Sequence, residues 1–357
     1  MSRVIVSLVA FVALLLGPAS VAAAAERSAG AVYTLTNTAA NAVIVYDRSA
    51  SGALTWSGTF PTGGSGGPLG SQGAVVTSDD GRWLYAVDAG SNDIAVFRIT
   101  KDGLVWSDRI ASAGAQPVSV TTNHDLVYVV NAASASIAGF RSEDGKLSPI
   151  AGSIRTFAGN GAAQIQFSPA GRALVVTEKT TSTLDVFVLA KDDAAGPATS
   201  YASSGTTPFG FAFGRHGDLV VSEAAGAAPL SAASSYEISK DGTLAAISRS
   251  IPTTQAAACW VAVTKDGRYA FTANAASDSI STFSIDEDGA LTLVFAQAAH
   301  LTGAHTTDMA LTKNSEFLYA NDGGTHMISA FRVEADGTLT RLAGVNIPVG
   351  ASGLAAQ

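Results

Sequence analysis

The chain has 357 residues, 47% of them hydrophobic and 14% charged, with 36 glycines, 11 prolines and one cysteine. That composition excludes intrinsic disorder and long solvated helices. A formal charge of −8 excludes the basic surface that nucleic-acid binding requires, and a lone Cys259 permits no internal disulfide.

Residues 1–25 have three parts: a basic start at Arg3, an apolar run from Val4 to Leu16, and small residues from Ala19 to Ala25. This is the layout of a secretory signal peptide, cleaved near Ala24 or Ala25. The run is well short of the ~20 residues of a spanning helix. The expectation is a secreted or periplasmic protein, free of the membrane once the leader is gone, with residues 26–357 as a single domain. Loss of Arg3 would take the charge to −9.

The rest of the chain is a repeat. Residues 78–104, SDDGRWLYAVDAGSNDIAVFRITKDGL, and 264–291, TKDGRYAFTANAASDSISTFSIDEDGAL, share one plan. A Gly-containing turn leads to an apolar run ending in Asn, Asp or Glu, then to an alternating strand and a second Asp-Gly turn. The residue ending the second strand recurs as Asn37, Asp88, Asn131, Glu178, Glu223, Asn274 and Asn321. An aromatic follows in the third strand at Tyr46, Phe97, Phe140, Phe187, Tyr236, Phe283 and Phe331. The fifth unit carries an insertion, EAAGAAPLSAASS.

Asp-Gly between alternating apolar runs is a hairpin signal, because the turn needs positive φ. Four short strands at a period of ~45 residues imply a β-propeller blade. The fold expected is therefore all-β: a seven-bladed β-propeller with four antiparallel strands per blade. The first segment, AVYTLTN, reads as a second strand, and the last, VGASGLAAQ, as the missing first one. The C-terminal strand should complete the N-terminal blade and close the ring. A closed ring needs no partner, so a monomer is expected.

In such a ring the Asp-Gly hairpins fall on one face, called here the bottom. The Asn/Asp/Glu column and the residues leading into each inner strand fall on the top. These top residues include Gln72, Gln116, Gln164, Phe209, Cys259, Trp260 and Asp308, with Glu178, Lys179 and Glu223 on the rim. Asn37, Asn131, Asn274 and Asn321 suit caps of tight turns, whereas Glu is a poor turn former. Glu178, Glu223 and His305 are accordingly the proton-acceptor candidates. Gln72, Gln164, Phe209, Cys259, Asp308 and His326 are the substrate-contact candidates. His300, His305 and His326 with Asp308 and Asp322 form a sector that could share a proton or hold a metal; no cofactor and no metal ligand set is assigned. Gly63-Gly64-Ser65-Gly66-Gly67 matches G-x-S-x-G but lies between prolines, with no helix to follow, so it reads as a flexible top-face loop. Asp286-Glu287-Asp288-Gly289 has Gln297 where a calcium loop needs Glu, and reads as a hairpin.

Several units, among them GSQGAVVTSDDGRWLYAVDAGSNDIAVFRI, TPFGFAFGRHGDLVVSEA, ACWVAVTKDGRYAFTANAASDSISTFSI and NDGGTHMISAFRVEADGTLTRL, resemble the lactonase family of seven-bladed propellers. That family includes 6-phosphogluconolactonases and carboxy-cis,cis-muconate cyclases. The resemblance spans essentially the whole chain after the leader. Catalytic members carry a His-x-His stretch leading into the fourth blade; here it is replaced by Asn160-Gly161-Ala162-Ala163-Gln164, ahead of Ser168-Pro169-Ala170-Gly171. The resemblance implies a lactone hydrolase or related cyclase acting on a small lactone or organic acid. The arginine-poor top loops favour a non-phosphorylated one. The missing histidines leave a second reading open, a non-catalytic exported propeller that binds a ligand or protein partner.

Overall fold

Alternating apolar residues between Gly-centred turns fold into hairpins, and the hairpins assemble into sheets. The computed structural model describes residues 28–227 and 230–357; the expected leader lies outside the described residues. Among the described residues there are twenty-nine strands and no helix. The strands form seven antiparallel sheets, each one blade. The turns behave as their sequence requires. Gly81 and Gly145 sit at φ of 70° and 75°, a region costly for any residue with a Cβ.

The last strand, Ser352–Ala356, pairs with the first, Gly30–Leu35, through Val32↔Ala356 and Thr34↔Leu354. It becomes the inner strand of blade 1, as the sequence predicts, and closes the ring. Blade 3 departs from four strands. Its outer strand is split into Lys146–Pro149 and Arg155–Thr156, both paired with Ser136–Glu143. Pro149 has no N–H with which to continue the ladder.

The third-strand aromatics are the packing between blades. Tyr46, Phe97, Phe140, Phe187, Tyr236, Phe283 and Phe331 are all buried, none more than 3% exposed, and each such side chain contributes about 1.5–3 kcal/mol of hydrophobic stabilisation. A second aromatic set adds hydrogen bonds from one blade to the next. The Tyr85 hydroxyl donates to Ser142 Oγ (2.9 Å), Tyr128 to the Asp193 carbonyl (2.7 Å) and Tyr319 to the Gly52 carbonyl (2.8 Å). The rigid ring that results fixes where the seven inner strands begin, and hence the geometry of the channel mouth.

Candidate functional site

The inner strands surround a central channel containing a cavity of 350 Å³, with Gln72, Val76, Gln164, Gln166, Phe211 and Met309 in its wall. The cavity extends to Asp79 and Thr122, at the channel end that carries the bottom turns. At the top end a strap of residues 68–73, just before the inner strand of blade 2 (Val75–Thr77), lies across the mouth. Ser71 Oγ donates to the Val118 carbonyl (2.8 Å), Gln72 N to the Ala163 carbonyl (3.0 Å) and Val120 N to the Gly73 carbonyl (2.9 Å). Trp260 Nε1 donates to the Ser71 carbonyl (3.0 Å) and Lys179 Nζ to the Gly70 carbonyl (2.5 Å). The strap thus ties blade 2 to blades 3, 4 and 6. The glycines before it are also bonded: Gly66 N to the Thr38 carbonyl, Gly67 N to Asn37 Oδ1, and Ser65 N to Ser91 Oγ.

The strap explains where the sequence-predicted amides go. Gln72 reaches the inner strand of blade 6, donating to the Val261 carbonyl (2.7 Å) and accepting from Val261 N (3.0 Å). It occupies the space left by Gly210, where a Cβ would collide with its amide oxygen. Gln164 makes the same pair with Phe211 O (2.9 Å) and Phe211 N (2.7 Å). Asp308 accepts from Met309 N (2.7 Å) and Leu354 N (2.9 Å), joining blade 7 to blade 1. Each side chain satisfies backbone groups that would otherwise be orphaned inside the channel wall. Burial pushes the Asp308 carboxyl up to about 8, so a protonated or singly charged lock holds the seam near neutrality.

The two glutamates are pins within their blades. Glu178 is 1% exposed and lies under Gly159, where a Cβ would overlap its carboxyl. Its Oε2 accepts from Thr181 Oγ1 (2.6 Å). Its Oε1 and Asp185 Oδ2 are both buried without a hydrogen-bond partner among the described residues, and the two carboxyls are close enough to influence each other's charge. Burial, assisted by the neighbouring Asp185, pushes Glu178 up to about 7, and burial raises Asp185 as well. Glu223 is 2% exposed beneath Gly205, with its oxygens taken by Ser234 Oγ and by Ser250 Oγ (2.7 Å). Asn131, Asn274 and Asn321 are fully buried at the ends of strands, bonded to Ser112 O, Ser279 and Ser281 Oγ, and Thr34 Oγ1. Only Asn37, with φ of 52°, sits in a turn, so the capping expected for the other three is replaced by strand-to-strand pinning.

The histidine sector does not converge. His305 is exposed, its N–H held by Asp278 Oδ1 (3.0 Å) and its ring 3.7 Å from the same carboxylate. Asp308 is buried in the inner strand, and Asp322 accepts from Thr306 Oγ1 (3.3 Å) and from Ser329 Oγ. The His326 ring has a buried Nδ1 without a partner. Among the described residues no group of three His, Cys, Asp or Glu side chains is placed to hold a metal. Glu178, Glu223 and His305 therefore sit on three different blades, and none lines the channel cavity.

What the fold does bring together is the mouth above the strap. Phe209 and Trp260 meet edge to face at 5.2 Å, and Lys179 Nζ lies 4.8 Å from the Phe209 ring centre. Burial pulls the Lys179 ammonium below its usual value. Cys259 lies beside this group, and burial pushes its thiol up to about 12, which leaves it protonated and unreactive at neutral pH. A half-buried ammonium over the Phe209 ring, tied to the strap through the Gly70 carbonyl, is a group that can polarise a carbonyl oxygen. Sequence reasoning placed Lys179 on the rim without a role; its position next to Glu178 in the column was the available signal.

A seven-bladed propeller with a polar-lined channel and a closed top mouth is the class that fold and site define. The chain belongs to the lactonase family of seven-bladed β-propellers, whose profile matches residues 24–157, 123–226 and 224–352. The fold is similar to that of a putative 6-phosphogluconolactonase from Bacteroides fragilis, with 19% identity, a TM-score of 0.72 and coverage of 92% of this chain and 98% of that one. It is also similar to a periplasmic gluconolactonase from Pseudomonas aeruginosa (16% identity, TM-score 0.71, 91% and 99% coverage). A protein from Lactobacillus plantarum gives 15% identity and a TM-score of 0.74, over 92% and 99% of the two chains. No curated protein sequence matches the chain.

Proposed function

We propose that this protein is an exported lactone hydrolase acting on a non-phosphorylated small molecule at the top-face mouth. The observation that carries the reading is the Lys179–Phe209–Trp260 cluster on a lactonase-family ring. Hydrolysis adds water to the lactone carbonyl, cleaves the ring C–O bond and leaves a hydroxy acid. The step that needs help is the negative charge growing on the carbonyl oxygen. Lys179 Nζ, in a partly dry site, is the group to stabilise it, with Phe209 and Trp260 holding the ring face. The Glu178–Asp185 pair, one residue away in sequence, keeps a proton near neutrality and positions the segment that bears Lys179. Glu223 and His305 have no part in this reading.

A dianionic phosphate calls for more than one cation, and Lys179 is the cation that the aromatic cluster carries. The small basic-apolar leader of residues 1–25 supports export, and the similar periplasmic gluconolactonase makes aldonolactones the first substrates to try. The test is acid release from glucono-δ-lactone and other aldonolactones by the purified protein, followed at constant pH. Catalysis lost on Lys179→Met supports the reading.

The saturated rim favours a second reading, a non-catalytic exported propeller. Gln72, Gln164, Glu223 and Asp308 are all spent on protein partners. Absence of turnover on the whole panel, together with calorimetric binding of a lactone or its acid, would decide for that reading.

A further inference from the structure

The ring repeats one design seven times, so each position has six internal controls. The residue opposite the third-strand aromatic in the outer strand is Trp56 in blade 1 and Trp106 in blade 2. In the other five blades it is Pro149, Ala198, Ala246, Leu293 and Arg341. The fold therefore does not need a tryptophan there. Trp106 is nevertheless 56% exposed, beside Val105 at 45%. Exposed aromatics on a rigid frame are the usual anchors of recognition.

Trp106 borders a hollow of 560 Å³ between blade 2 and the Asp144-Gly145 hairpin of blade 3, within the ~300–1,000 Å³ range of small-molecule pockets. Its walls are Trp83, Trp106 and Val105, and its polar groups Arg82, Arg98 and Asp144. Trp83 is seated on Gly145, where a Cβ would run into the indole. Arg82 is engaged by Asp80 (2.5 Å). The Arg98 guanidinium, opposite Trp83 in the sheet, makes no hydrogen bond or ion pair with any described residue. A second hollow of 490 Å³ shares Arg82, Trp83 and Asp144 and runs inward to Asp79 and His124. Blade 6 has a hollow of 620 Å³ at the same corner, but its arginine is occupied. There the guanidinium of Arg268 lies 5.2 Å over the Tyr269 ring and donates to the Ala335 carbonyl.

We infer that the groove between blades 2 and 3 is a binding site for a neutral oligosaccharide, separate from the channel mouth. A pyranose ring has an apolar face bordered by hydroxyls that both donate and accept. The groove offers the matching set: indole faces for the ring, Arg98 as a free donor and Asp144 as an acceptor. Across the two hollows Asp79, Asp80, Asp125 and Asp144 outnumber Arg82 and Arg98, which does not select an anion, and the adjacent hollows give room for consecutive rings. Its concave form and size suit a chain of sugars better than a protein, which covers about 800 Å² per partner.

The test is titration of the purified protein with maltose, cellobiose and chitobiose, read by tryptophan fluorescence and calorimetry. Saturable binding of at least one disaccharide is expected, weakened at least roughly tenfold by Trp106→Ala and also weakened by Arg98→Ala. Trp56→Ala, outside the groove, should leave it unchanged. No saturable binding to any of the three, or binding that survives Trp106→Ala, would overturn the inference. Lactone turnover is a separate readout, so its failure or success bears only on the mouth.

Discussion

The top mouth and the groove between blades 2 and 3 differ in what their polar groups are already doing. At the mouth, Gln72, Gln164 and Asp308 are consumed by backbone of other blades, and Glu223 by two serines. In the groove, Arg98 has no hydrogen-bond or ion-pair partner among the described residues, and Trp106 faces solvent. A polar residue in a conspicuous column can thus be a rivet, and function is better sought in groups whose bonding capacity is unspent. At the mouth that criterion singles out Lys179, whose one acceptor among the described residues, the Gly70 carbonyl, leaves it further protons to donate.

The contrast can be broken most forcefully at the rivets. Gln164→Ala orphans Phe211 N and O in the channel wall, and a loss of about 2–4 kcal/mol is expected from two unmatched buried groups. Denaturant midpoints measure it; a change below about 0.5 kcal/mol would mean that water replaces the amide and the rim is freer than described. Gly205→Ala should cost about 1–3 kcal/mol by driving a methyl into the Glu223 carboxylate. Trp106→Ala, by contrast, should move stability by no more than about 0.5 kcal/mol, because the indole is held out in solvent.

The buried carboxyls sharpen the comparison through pH. Burial raises Glu178 to about 7, Asp322 to about 6 and Asp308 to about 8. The folded state therefore keeps protons that the unfolded chain releases at ordinary carboxylate values, so stability falls as pH rises from about 4 towards 8. Melting temperature should accordingly drop between pH 5 and pH 8. Glu178→Gln removes the titrating carboxyl beside Asp185, and should reduce that slope while keeping the fold. An unchanged slope would place the titration elsewhere.

Much of the fold was legible before any coordinates. The aromatic column, the Asp-Gly turns and the split first blade follow from strand periodicity, and each is local or repeats seven times. The site was less legible, because its logic is not local. Nothing in the sequence around Gln72 reveals that it crosses the axis to fill the gap at Gly210 and to pair with Val261, 189 residues away. Asp185 was missed because the matching position holds Ser281 in blade 6 and Ser329 in blade 7, and only packing shows that it faces Glu178. The loop at residues 63–67, expected to be flexible, proved to be bonded because its glycines leave amides free to meet Thr38, Asn37 and Ser91.

The central claim is that the chemistry of this propeller resides at Lys179 and not in the polar column. Its most direct test compares aldonolactone hydrolysis by the wild type, Lys179→Met and Glu223→Gln, each checked for fold by melting. The account expects kcat to fall by about 10²–10³ in Lys179→Met, the loss typical of removing a group that stabilises an oxyanion, with folded Glu223→Gln near wild type. Wild-type turnover in Lys179→Met, or its abolition in a folded Glu223→Gln, would contradict it.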